Sequence, residues 1–424
     1  MTSRPGQGHR VFPGWYVVGA GFVILMVNAG LGFYGLAVYL EAVTTEKGFA
    51  TGPASLASSL FFVVSGVTGR LLGGVLATRD VRAVVCAGAV VGGVALASLG
   101  RVEELWQFYA VYAVFAVGFA AAGLLPVTTV VTRWFHRRRS VALSVTSTGL
   151  SVGGLTLTKL ASTLIDANGL EASTPWLGLA YVALIVPTAI VFLWPDPATR
   201  GFAPDGDPTP EERPTLASLG VRYREAVRSR FFVFVTAGYV GVMAAQVGGI
   251  NQIVKLVTER TGDRSTGALA VSFLALASVV ARLIGGVVAP KLPMGAFTVG
   301  LASVQAFSLV LLGLAESSSA LLAASVLFGA TVGNLLMLQP LLLAEAFGVR
   351  DYPRLFGLNQ LVVTAGVALG PFLLGALHDV ASYRLAYLVA AGVSATGAVC
   401  VAMAGSVAAT QQALWEPTAT VAAR

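Results

Sequence analysis

The sequence predicts an all-α, polytopic membrane protein with twelve transmembrane helices in two pseudo-symmetric six-helix bundles. Three observations predict it: charge is scarce, apolar runs of bilayer length recur twelve times, and the second half of the chain repeats the first. Of 424 residues, 56% are apolar and 11% are charged, against about 25% charged in soluble domains, and mean hydropathy is +0.80. The formal net charge of +7 does not point to nucleic acid, because the basic residues collect in loops between apolar runs.

A bilayer core takes about 20 residues of apolar helix. Charge-poor runs of that length lie near 15–40, 53–77, 83–100, 107–132, 141–165, 176–195, 231–255, 266–289, 295–315, 319–344, 356–377 and 385–405. The first apolar run, Val11 to Leu40, is about twice the length of a signal-peptide core, so it is read as a span. Between the sixth and seventh runs lies the one long polar stretch, "PDPATRGFAPDGDPTPEERPTLASLGVRYREAVRSR". Its first half is a Pro-rich linker. Its second half spaces Leu216, Leu219, Tyr223 and Val227 as a helix on the membrane surface, or a solvated linker helix, would space them. The expected organisation is an N-terminal bundle over 1–195, a cytoplasmic linker over 196–230, and a C-terminal bundle with a tail over 231–424. With the N-terminus inside, 18 Lys and Arg fall in inner segments and 6 in outer ones. The positive-inside rule then predicts a cell-membrane protein with both termini cytoplasmic.

The repeat is read from two alignments. "VTGRLLGGVLATRDVRAVVCAG" (67–88) lies 212 residues before "VVARLIGGVVAPKLPMGAFTVG" (279–300), setting Arg70 on Arg282, Gly73 and Gly74 on Gly285 and Gly286, and Arg79 on Lys291. A second match, at a spacing of 217, sets Arg137, Gly149 and Gly153 on Arg354, Gly366 and Gly370. Parallel halves with a substrate between them near the midplane are the architecture of secondary transporters.

Three basic residues fall inside spans: Arg70, Lys159 and Arg282. Arg282 lies nine residues before Lys291, hence about 13 Å deep at 1.5 Å per residue. A charge at that depth is costly and marks function by default. No Asp or Glu lies near the middle of any span to pair with it. Either backbone carbonyls and water satisfy it in a helix interface, or it binds an anionic substrate, for which the planar guanidinium fork suits a carboxylate. Arg70, its symmetry mate, is open to the same two readings. Lys159 lies near the outer surface and snorkels. At mid-depth Asn28, Tyr34, Gln246 and Asn334 can complete a site, or serve as glue between helices. Cys86 and Cys400 offer neither a disulfide framework nor a metal pair. No nucleophile–base pair, ligand cluster or P-loop appears, so neither an enzyme nor a cofactor or metal is expected.

The sequence resembles the major facilitator superfamily along nearly its whole length. "GGVLATRDVR" is similar to that family's loop motif after the second helix, G-x-L-A-D-R-x-G-R, with Gly74, Leu76, Ala77, Arg79 and Arg82 kept. Thr78 and Val81 replace the motif's aspartate and second glycine, and Pro290 replaces the aspartate of the second copy, beside Gly286 and Lys291. The resemblance implies that these residues form a cytoplasmic gating motif. Within the superfamily, "GWYVV", "RWFHRRRSVALSVTSTG", "ARLIGGVVA" and "LGPFLLGALHD" resemble the monocarboxylate transporters and the oxalate/formate antiporters. In that group the eighth-helix arginine, here Arg282, pairs with the substrate carboxylate.

The resemblance implies a secondary transporter of a small organic anion, a monocarboxylate first, working by alternating access. The alternatives are a nitrate/nitrite-type porter and a multidrug or metabolite exporter. The aspartate that vertebrate members place one turn before the arginine is Ser278 here. The coupling partner is therefore expected to be a counter-anion, or H+ carried without a mid-membrane acid. Membrane lipid is the other expected partner, nucleic acid is not one, and the chain reads as a monomer.

Overall fold

The computed structural model describes residues 12–49, 51–206 and 220–414. Among them, helices account for the regular structure, and twelve are long and apolar enough to cross a membrane. They are α1 Gly14–Glu46, α2 Thr51–Leu76, α3 Val81–Arg101, α4 Leu105–Trp134, α5 Arg139–Asn168, α6 Leu170–Phe192, α7 Arg230–Thr261, α8 Arg264–Val288, α9 Met294–Leu314, α10 Ser318–Phe347, α11 Tyr352–Val380 and α12 Tyr383–Ala404. The first six pack on one another and the last six likewise, giving two six-helix bundles. Several helices outrun their predicted spans: α1 continues to Glu46 and α7 to Thr261. Hydropathy sees only the hydrocarbon layer, whereas a helix carrying Glu41 and Glu46, or Lys255 and Glu259, runs on into the headgroups.

Starts and stops follow local chemistry. Ser229, Ser317 and Ser382 cap α7, α10 and α12 by accepting from the backbone amides of Phe232, Ala320 and Leu385. Asp80 caps α3 and takes the Arg82 side chain, whose hydrogen bond holds the carboxyl below its usual range. Gly169, at φ 81°, makes the sharp turn between α5 and α6.

Two helices of the first bundle are broken inside the membrane. In α1, Asn28–Phe33 winds as a π-helix, and Thr158 and Tyr39 hydroxyls donate to the Gly30 and Leu31 carbonyls there. In α4, the chain turns at Gly123 ahead of Pro126. The amide of Asn28 donates to the freed Phe119 carbonyl at 3.1 Å, while its oxygen accepts from Tyr181 at 2.7 Å. Polar groups thus repair each break, as lipid requires.

The repeat has a packing meaning. A Cβ on Gly149 or Gly153 of α5 would strike the carbonyls of Phe22 or Met26 in α1, and one on Gly366 or Gly370 of α11 those of Val240 or Ala244 in α7. Equivalent glycines therefore seat equivalent helices backbone on backbone.

Between the bundles, contact concentrates toward the face that bears the linker between α6 and α7, here the linker face. Gly66, Gly69 and Gly73 of α2 pack on Thr364, Gly357 and Pro353 of α11. Ser140 and Ser144 of α5 donate to the carbonyls of Gly286 and Arg282 in α8. Tyr352 of α11 donates to Thr128 of α4 at 3.1 Å. Of the expected linker helix, Leu216 and Leu219 lie outside the described residues; a short helix, Tyr223–Arg228, precedes α7.

Candidate functional site

Arg282 is 1% exposed. Its Nε donates to the Gly333 carbonyl of α10 at 3.1 Å, and its Nη1 to the Ser147 carbonyl of α5 in the other bundle. A guanidinium carries five N–H groups, so three remain without a protein partner among the described residues. No carboxylate pairs with it there.

Small residues make this fit. A side chain at Gly333 would collide with the Arg282 Nε and the Ser278 hydroxyl, and one at Gly286 with Ser144. Ser140, Ser144 and Ser147 recur at four- and three-residue steps, so one stripe of α5 meets α8.

Two of the expected residues gather at Arg282. Tyr34 stands within electrostatic reach of its guanidinium. Its ring lies over Gly154 of α5, and it is 41% exposed although it sits inside a span. The π-helix of α1 ends beside it. Asn334 of α10 donates to the Ala281 carbonyl, and its amide lies against Gly285, bracketing Arg282 by one residue before and three after. The Asn334 Oδ1 and the Ser278 Oγ are buried without hydrogen-bond partners among the described residues. Buried polar atoms of this kind call for water or a ligand.

The other expected residues lie elsewhere. Asn28 is consumed by Phe119 and Tyr181. Gln246 is buried in α7, its Oε1 without a hydrogen-bond partner among the described residues. Arg70 does not mirror Arg282: its Nη2 donates to the Tyr223 hydroxyl at 3.2 Å, directed at the linker.

The expected gating cations also depart from their motif role. Arg79 and Lys291 are exposed, Arg82 is taken by Asp80 at 2.8 Å, and a Cβ on Gly74 would meet open space. With Thr78, Val81 and Pro290 in place of the motif's residues, the acid that loop does carry, Asp80, is spent on Arg82. Of the motif positions only Gly286 lies in a seam. A charge pair does cross between the bundles: Arg139 with Glu345, at 2.7 Å, joining the start of α5 to the end of α10. Arg139 is 4% exposed and also donates to the carbonyls of Phe135 and Thr132. Sequence reading missed this pair because its members are 206 residues apart and each sits at a span end, where charge is unremarkable. The serine stripe was visible in "RRRSVALSVTS", had its spacing been set against α8.

Two six-helix bundles closed against each other on one face, with a buried guanidinium that has no carboxylate partner among the described residues in the seam, are the architecture of a membrane carrier. The sequence pattern of the Major Facilitator Superfamily matches residues 22–347 and 299–417, and the chain belongs to that superfamily. It is a multi-pass membrane transporter. Monocarboxylate transporter 11 of Homo sapiens is 28% identical over 422 residues, covering 89% of this chain and 83% of that one. The mouse protein of the same name is 26% identical over 401 residues. An MFS-type transporter of Gibberella moniliformis is 25% identical, covering 81% of this chain and 77% of its own. Among solved structures, the MFS transporter FucP in the outward conformation superposes with a TM-score of 0.73 at 14% identity, covering 93% of this chain and 99% of that one. The human organic anion transporter MFSD10 gives a TM-score of 0.70 at 15% identity, covering 92% and 100%. At these identities the two structures speak to fold alone.

Proposed function

We propose that the protein is a secondary transporter of a small organic anion, a monocarboxylate, working by alternating access with Arg282 as the anion receptor. The observation that carries the reading is the Arg282 guanidinium: buried, without an acidic partner among the described residues, and with three N–H groups unclaimed there. A carboxylate takes two parallel hydrogen bonds from such a fork. Ser278 and Asn334 supply a hydroxyl and an amide oxygen, the first able to donate to the anion's free lone pairs. The likeness to the monocarboxylate transporters supports the substrate class.

The linker face is assigned to the cytoplasm, since the sequence sets 18 Lys and Arg in the segments expected on the linker's side and 6 in those expected opposite. The conformation is then closed inward and open outward. Transport requires the seams α2–α11 and α5–α8 and the Arg139–Glu345 pair to part. Coupling is assigned to exchange for a second anion, or to a proton carried without a mid-membrane acid, because Ser278 stands where an acid would relay it.

The test is uptake of labelled lactate, pyruvate, formate and oxalate, with nitrate alongside, into proteoliposomes loaded with or without unlabelled anion, pH and voltage being clamped separately. Saturable carboxylate uptake stimulated by internal carboxylate is expected. Uptake of nitrate alone would overturn the substrate class.

A further inference from the structure

The segment entering α7 is stitched to the linker face at four points. The Val221 amide donates to the Phe347 carbonyl at 2.9 Å, and Gly220 pairs with Gly348 where α10 ends. The Tyr223 amide donates to Asp351, at the start of α11, at 3.0 Å. All three fix the segment to the second bundle. The fourth crosses to the first: the Arg70 Nη2 donates to the Tyr223 hydroxyl at 3.2 Å, with the guanidinium carbon 5.6 Å from the ring centroid.

Arg70 leaves α2 where that helix packs on α11. Gly69 and Gly73 lie against the backbone of Gly357 and of Pro353 and Arg354. The phenol therefore spans the seam that must open on this face. We infer that Tyr223 is a positioning residue for transport: through Arg70 it latches α2 to the second bundle and biases the empty carrier toward the state closed on the linker face. This assigns Arg70 to the latch and not to the anion.

The chemistry is specific. A phenol offers Arg70 an acceptor oxygen and a π-face together, and phenylalanine keeps only the face. A hydrogen bond to a charged group in a half-buried setting biases a two-state equilibrium by about fivefold to tenfold. A latch of that size is strong enough to set a resting state and weak enough to be released in every cycle.

The inference rests on the alternating-access reading, and the experiment separates the two. In the full chain with Cys86→Ala and Cys400→Ala, spin labels on Thr78→Cys and Leu292→Cys, both exposed on the linker face in opposite bundles, report its opening in nanodiscs without substrate. Tyr223→Phe and Arg70→Gln are each expected to enlarge the open population about fivefold. The double variant should add nothing further, and Tyr223→Ala should match or exceed Tyr223→Phe. Turnover is expected to change while carboxylate affinity, measured from the far face, holds. Unchanged populations in both single variants would overturn the latch. Loss of carboxylate affinity in Arg70→Gln with Tyr223→Phe unaffected would overturn it in favour of Arg70 at the anion. A linker face that opens in no variant and under no gradient would instead overturn alternating access.

Discussion

Arg282→Lys conserves charge and removes geometry, and the size of its effect follows from the donors. The native guanidinium spends one Nε–H on Gly333 and one Nη1–H on Ser147, keeping three for a ligand. An ammonium has three N–H in all; holding the same two carbonyls leaves it one. The ligand then keeps the Coulombic attraction but loses one of two charge-assisted hydrogen bonds, about 1.5–3 kcal/mol. That is a tenfold to roughly 150-fold rise in Kd. Scintillation-proximity binding of a labelled carboxylate measures it directly, and initial uptake rates should show the loss in KM. Arg282→Gln, which also loses the charge, should bind still more weakly. Native affinity in either variant, with the protein monodisperse and thermally stable, would refute the assignment of Arg282 to the anion.

Three further outcomes follow from the seams and the repaired breaks. Glu345→Gln leaves the buried Arg139 without its carboxylate, an imbalance of about 3 kcal/mol. Maleimide labelling of Ser140→Cys from the linker face should accelerate, and Arg139→Glu combined with Glu345→Arg should slow it again; labelling at the native rate in Glu345→Gln would remove the pair from the gate. Gly73→Ala drives a Cβ into the Pro353 carbonyl, whereas Gly74→Ala meets open space. Uptake should fall in the first and stay within about twofold in the second, and equal behaviour would contradict the packing of α2 on α11. Asn28→Ala strands the Tyr181 hydroxyl and the Phe119 carbonyl. It should lower thermal stability by about 1–2 kcal/mol with KM unchanged; a raised KM would return Asn28 to the substrate site.

The twelve spans were legible because a bilayer imposes one length and one composition on every crossing helix. The bundle seams were partly legible: glycine spacing in the two repeats marked α2, α5, α8 and α11, and a missing side chain is a local signal. What the repeat could not transmit was direction. Arg70 and Arg282 align without a gap, yet one reaches to the linker and the other lies against α5, because Tyr223 has no counterpart after the second bundle in the described residues. The Arg139–Glu345 pair escaped for a related reason: charge at a helix end carries no mark of its partner. Asn28 and Tyr34, six residues apart on one helix, could not be told apart by depth. A π-turn between them and a break in α4 turned the first into a structural bridge and left the second facing open space.

The bond from Arg282 to the Ser147 carbonyl joins one bundle to the other with the same group that would hold a carboxylate. On the proposed alternating-access cycle, the empty carrier rests with that bond made and the linker face shut. Sidedness follows. A substrate arriving from the far face meets a binding-competent protein, whereas one arriving from the linker face must wait for the small fraction of empty carriers open there, and its apparent affinity falls by that fraction. Half-saturation measured on inside-out vesicles should accordingly exceed that on right-side-out vesicles, and the ratio of the two measures how firmly the empty floor is held.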